Sequence, residues 1–274
     1  MQKILKFSIA ILCFFSIQSS AQELYVFSEP ASNMPAHSLS LKQTAKGLRN
    51  TATAGFESRH TSEAMFGFNK NLMMHAAVTF SDMYSSNLRW ESARLYAKYR
   101  FLSSDGMFSH FRMAAFGEGS YSRNNPQYDE LSLEGDQSGV QFGVIATQLL
   151  HKLAISTTLS ITESLQESRW YKSFPQKYPY EAFNYSLSAG YLILPKKYTD
   201  YKQTNLNFYA ELMGQRSLDL NKYFVDLAPA AQLIFNSTAK LNFGYRFQLG
   251  SNMNRMSDKS WLISFEWIFL DALK

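Results

Sequence analysis

From residue 37 onward, apolar and polar side chains alternate one for one along segment after segment. That period of two is the strongest constraint the sequence places on its fold. Near the C-terminus Trp261, Ile263, Phe265, Trp267 and Phe269 alternate with Leu262, Ser264, Glu266, Ile268 and Leu270. Leu241, Phe243, Tyr245, Phe247 and Leu249 interleave with Asn242, Gly244, Arg246 and Gln248, and Ala93, Leu95, Ala97, Tyr99 and Phe101 with Ser92, Arg94, Tyr96, Lys98 and Arg100. Successive side chains of a β-strand point to opposite faces. Each such segment therefore separates an apolar, aromatic surrounding from a polar, charged one.

Twelve strands are read from this pattern, over residues 37–46, 61–69, 72–82, 88–101, 107–121, 138–150, 153–165, 183–194, 204–216, 222–236, 239–250 and 259–270. Most run about 9–14 residues, longer than the ~5–6 of soluble sheets and matched to a tilted membrane crossing. The connections alternate in length. Asn69-Lys70-Asn71, His151-Lys152 and Asn236-Ser237-Thr238 are tight turns, whereas 122–137 and 166–182 are long. With both termini on one side, every tight turn falls on that side and both longest loops fall opposite, the asymmetry of outer-membrane barrels. Residues 195–203 are the exception, a long link on the short side.

The expected fold is all-β, a closed antiparallel transmembrane β-barrel of twelve strands. A soluble β-sandwich alternates as well, with its polar face in water. Against it stand the Phe, Tyr and Trp residues near the ends of the apolar faces, placed as girdles are. Composition agrees. Charged residues make up 18% and aromatic residues 15%, with 22 Phe and 16 Tyr. The mean hydropathy of −0.24 excludes a bundle of membrane helices. The net charge of +5 is scattered along the chain, so no nucleic-acid footprint is present.

Residues 1–21 have the form of an export signal. Lys3 and Lys6 precede an apolar stretch from Phe7 to Ile17, and Ser19 and Ala21 are the small residues that precede a cut. Cleavage is expected between Ala21 and Gln22. An uncleaved anchor is one alternative, but the apolar stretch is too short to span; lipidation of Cys13 is a second, but Leu12 stands where a small residue is required. Cleavage removes Cys13 and leaves no cysteine. The expected organisation is a signal over 1–21, an N-terminal periplasmic segment or plug over 22–36, and the barrel over 37–274.

The stretch Glu23 to Ala36, ELYVFSEPASNMPA, leads directly into the first strand. In this and in its strand pattern the chain resembles outer-membrane β-barrel proteins of Bacteroidota-type bacteria, in particular a largely uncharacterised group with a similar segment before strand one. The resemblance implies residence in the outer membrane of a Gram-negative bacterium, with lipid, lipopolysaccharide and the barrel-assembly machinery as partners. One departure is the C-terminus. Such barrels commonly finish on an aromatic residue, whereas Leu270 and Asp271-Ala272-Leu273-Lys274 follow Phe269 here.

If the apolar faces meet lipid, the polar faces define an interior. Glu63, His75, Arg94, Lys98, Arg100, His110, Arg112 and Glu118 come from the second to fifth strands, and Glu211, Asp226, Arg246 and Glu266 from the ninth to twelfth. One wall reads basic and the opposite wall mostly acidic, a transverse field that would orient small polar solutes in a water-filled lumen. The same charges instead pair off if side chains fill the interior. Tyr25, Val26 and Phe27, with Pro30 and Pro35 keeping the chain extended, suit a plug in the periplasmic mouth. The leading expectation is a channel or transporter-like barrel for small polar solutes. The alternative is a non-conducting structural or interaction protein.

Two chemical readings stand beside these. Met34 near His37, and Met73 and Met74 beside His75, offer thioether and imidazole groups of the kind that suit copper. Alternation turns Met73 and His75 inward and Met74 outward, and methionine is a routine gap-filler, so no metal or other cofactor is expected. His60 and Ser62 have the spacing of a barrel lipase, with Asn69 and Asn71 as orienting groups. The surrounding residues do not match that motif, and no enzymatic activity is expected. In the loop 166–182, Trp170, Tyr171, Phe174, Tyr178 and Tyr180 beside Lys172 and Lys177 suit contact with ligands or polysaccharide, but also the headgroup region, which is the preferred reading.

Overall fold

The computed structural model describes residues 25–107, 109–166, 177–196 and 202–274. The expected signal, Cys13 and the cut before Gln22 lie outside the described residues, as do Trp170, Tyr171, Lys172 and Phe174.

Alternation becomes twelve strands: β1 (Ser38–Arg49), β2 (Phe56–Gly67), β3 (Leu72–Ser81), β4 (Arg89–Asp105), β5 (Ser109–Ser122), β6 (Gly139–Leu150), β7 (Leu153–Ser164), β8 (Glu181–Leu194), β9 (Asn205–Ser217), β10 (Tyr223–Phe235), β11 (Ala239–Ser251) and β12 (Lys259–Phe269). Each pairs antiparallel with its sequence neighbours. The ring closes where Leu39 of β1 meets Phe269 of β12 and Leu48 meets Ser260. Closure leaves no strand edge, the condition for carrying backbone polar groups through hydrocarbon.

β2 starts five residues before the expected 61, and β1 and β4 run on to Arg49 and Asp105. Apolar alternation is weak in 56–60, Phe-Glu-Ser-Arg-His, because the inward Arg59 is buried against Glu91. Only Phe56, stacked on Trp261, marks the outer face there. The short turns obey local rules. Asn236 and Ser237 both have positive φ, and Thr238 N–H returns to Phe235 O, the arrangement whose twist matches a hairpin. Asn69 caps its turn by accepting from Asn71 and Leu72 N–H. Beyond Phe269 the tail folds back, with Leu273 N–H donating to His37 O.

Burial is inverted relative to a water-soluble protein. Leu95, Phe142 and Leu187 are 61%, 64% and 52% exposed on the outside, while Lys98, Thr147, Ser188 and Glu211 are fully buried within. Water does not tolerate so continuous an apolar belt, and hydrocarbon does. Leu187 sits midway along β8. Replacing it with Arg is expected to cost about 2–4 kcal/mol, read as a shift in reversible guanidinium unfolding from lipid vesicles.

Candidate functional site

The interior is filled from two ends. From the side of the termini and short turns, residues 25–36 run inside the ring. The Glu211 carboxylate accepts backbone N–H groups of Val26 (2.9 Å), Phe27 (3.0 Å) and Ser28 (2.8 Å). Lys98 Nζ then donates to Glu29 Oε2 (3.0 Å), Pro30 O (2.7 Å) and Ser32 O (2.9 Å), using all three ammonium hydrogens. Ala31 N–H donates to Thr147 Oγ1, Arg112 donates to Ser32 Oγ, and Ser38 Oγ–H donates to Pro35 O. Proline suits this segment because it has no N–H that would need a partner inside the ring. Apolar groups complete the seat. Tyr25 packs edge-on against Tyr209, and Ala31 against Ala114 and Ile145. Phe27 lies over Gly244, where any side chain would collide with its ring.

From the opposite side, residues 123–138 dip into the mouth. Leu131 pairs with the side chain of Gln215 as if with a strand, its N–H donating to Oε1 (2.8 Å) and its O accepting from Nε2 (2.7 Å). Glu130 binds Arg246 (2.9 Å) and Arg255 (2.8 Å), and Asp136 binds Arg59, which also holds Glu91. Gly135 has φ +137, and a Cβ there would strike the Glu91 carboxylate. The β11–β12 loop adds Arg255, which donates twice to Asp226 and lies 4.0 Å over the Phe224 ring.

The Glu130 pairing sets a pH expectation. Burial by itself would raise the Glu130 carboxyl, but Arg246 and Arg255 hold it well below the usual carboxylate range. A depressed group contributes stability above its unfolded pKa and loses it as pH falls through the folded one. Docking of 123–138 is therefore expected to persist from about pH 8 to below ~4.3, the ordinary Glu value. Protease cleavage of the loop in vesicle-embedded protein checks this. Cleavage that already appears near pH 5 contradicts it.

Between floor and roof lies a cavity of about 370 Å³. Val26, Phe27 and Glu29 line it below, and Glu130 to Glu134 above. Lys42, Glu63, Arg94 and Glu118 face it from β1 to β5, and Ser160, Thr162 and Asn184 from β7 and β8.

Glu63, His75, Arg94, Glu118 and Arg246 line the cavity. Lys98, Glu211, Asp226 and Glu266 are buried in pairings around it. His110 and Arg112 lie toward the short turns, bound to Asp105, and Arg100 N–H is held there by Asn71 O.

The expected transverse field is corrected by the pairing. Glu63 stands among Lys42, His75 and Arg94, and Glu118 against Arg94. Across the barrel, Lys240 binds Glu266, and Arg246 and Arg255 bind Asp226. In a confined interior opposite charges settle beside one another, because an unpaired buried ion is costly. Sequence reading missed Lys42, Lys46, Arg59, Glu91, Lys240 and Arg255. Continuing the inward parity of β1 and β2 would have found the first three. Arg255 lies in a loop and leaves no periodic trace.

Met34 rests on Gly67, opposite Met73 across β2 and β3, while His75 Nδ1 bonds Glu63 at 3.1 Å. Among the described residues no group of three or more His, Cys, Asp or Glu is arranged to hold a metal ion. His60 and Ser62 have outward parity on β2, and Ser62 Oγ–H donates to Gln43 Oε1 at 2.6 Å. Asn69 and Asn71 sit in the turn at the far end of that hairpin, which corrects their suggested orienting role.

No family model matches the chain, and no curated protein matches it significantly. Solved structures do. An outer-membrane channel from Pseudomonas putida F1 superposes with a TM-score of 0.59 at 9% identity, over 89% of this chain and 100% of that one. The NanC porin gives 0.51 at 8% identity, over 84% and 98%, and the KdgM porin 0.50 at 8%, over 84% and 99%. At these identities the likeness is one of fold. By fold, then, the chain is an outer-membrane β-barrel, sharing its architecture with porins and channels.

Proposed function

We propose that this protein is an outer-membrane channel for small polar solutes, exported by a signal cleaved near Ala21-Gln22 and held shut by its own segment 22–36. The observation that carries this reading is the seat of that segment. Glu211 and Lys98, both fully buried, direct most of their hydrogen bonds at this segment, and only Ser188 of the wall, at 3.3 Å, shares the Glu211 carboxylate. Bonds of this kind are replaceable by water when the segment leaves, so the closed state is reversible. The twelve inward charged residues named from the sequence then border the path and set its preference. Lipid and lipopolysaccharide surround the belt, and the barrel-assembly machinery inserts it.

Planar-bilayer recording tests the reading. Mature protein is expected to conduct rarely, and a variant lacking 22–36 to raise open probability on the order of tenfold or more. Bilayers that stay sealed after that deletion and after shortening of loop 123–138, with the barrel still folded, would overturn it. They would favour a second reading, a non-conducting structural or interaction protein. The observation behind that alternative is the ion-paired filling at both ends.

A further inference from the structure

We infer that the cavity between segment 25–36 and loop 123–138 is a binding chamber for a small uncharged polyhydroxylated solute of the saccharide class. The inference rests on the channel reading and narrows it. A volume of about 370 Å³ falls within the range of ligand pockets, and its chemistry is two-sided. On the β1–β5 wall, Lys42 and Glu63 stand 3.9 Å apart, Arg94 and Glu63 3.9 Å, and Arg94 and Glu118 3.5 Å. Pairs with both partners outside the lining are tighter, 2.7 Å for Arg255 with Asp226 and 2.9 Å for Lys240 with Glu266, and so is the pair of Arg246 with Glu130 at 2.9 Å where wall and loop meet at the cavity. The three long pairs among Lys42, Glu63, Arg94 and Glu118 thus retain donor and acceptor capacity toward the space between them.

A hydroxyl group both donates and accepts, so it fits between a guanidinium and a carboxylate without upsetting either. A net-charged solute would match one partner and oppose the other. The β7–β8 wall is neutral. Thr158 and Ser186 face each other across the two strands, both line the cavity, and neither hydroxyl has a hydrogen-bond partner among the described residues. Phe27 and Phe116 add apolar ring faces, which suit the C–H faces of a sugar ring.

Calorimetric titration of mature protein in lauryldimethylamine oxide, a detergent without sugar groups, tests this with sucrose, glucuronate, glucosamine and glycine betaine as probes. Sucrose is expected to bind with a Kd of millimolar order, and the other three more weakly. Thr158→Val combined with Ser186→Ala should weaken sucrose at least about tenfold, the effect of two lost hydrogen bonds. Met213→Trp, which fills the cavity without removing a polar group, should abolish binding and covers the case in which the double variant misfolds. Tighter binding of a charged probe or of betaine, absence of sucrose binding, or indifference to the folded variants would overturn the inference. A conducting barrel that ignores sucrose retains the channel and discards the chamber. Sucrose binding by mature protein whose barrel stays sealed both without 22–36 and with loop 123–138 shortened does the reverse.

Discussion

Glu211→Ala is expected to open the barrel in bilayers, raising open probability by about tenfold to a hundredfold over the parent. The carboxylate accepts three successive backbone N–H groups, from Val26, Phe27 and Ser28, inside the ring. Removing it leaves donors that water reaches only in part. Each unsatisfied buried donor costs about 1–3 kcal/mol. A net penalty of about 1.4–2.8 kcal/mol on the closed state alone gives that range, since 1.4 kcal/mol is a factor of ten. The released state does not carry the penalty, because there Glu211 and the freed backbone both face water. Lys98→Met should act in the same direction by freeing Glu29, Pro30 O and Ser32 O. The two together should approach the behaviour of the deletion. Unchanged open probability in a correctly folded Glu211→Ala protein would mean that the segment does not gate conduction.

Asp226→Ala should produce the largest loss of stability. Asp226 is 1% exposed and accepts from both Arg246 and Arg255. Its removal leaves two buried guanidinium groups sharing Glu130. Breaking a buried pair from one side costs about 3–5 kcal/mol, because an uncompensated charge remains. The measurement is the denaturant midpoint of the folded-to-unfolded gel-shift transition in vesicles. Asp226→Asn, which keeps the shape and one acceptor, should lose less. Equal midpoints for parent and Ala variant would show that loop residues Glu130 and Arg255 are not docked on the wall in the membrane.

Much of the architecture was legible before any coordinates. Trp261, Ile263, Phe265 and Trp267 on one face of β12, with Ser264 and Glu266 on the other, are enough to orient that strand, because the pleat admits only two faces. The same parity assigns all twelve charged candidates to the inner face. It failed at β2, where the paired inward Arg59 hid the strand's first residues. It also gave no indication that Glu130 and Asp136, in a long external loop, turn back into the mouth.

The sequence by itself determined the strands, their faces and the side on which the short turns lie, because alternation and turn chemistry act over a few neighbouring residues. Only the tertiary structure decided that Glu63 neighbours Arg94, that Arg255 reaches Asp226, and that Val26 to Ser28 rest on Glu211. Those contacts join residues from 29 to 185 positions apart. Which charges meet depends on closure of the ring and on what enters it from each end, and neither leaves a local pattern in the chain.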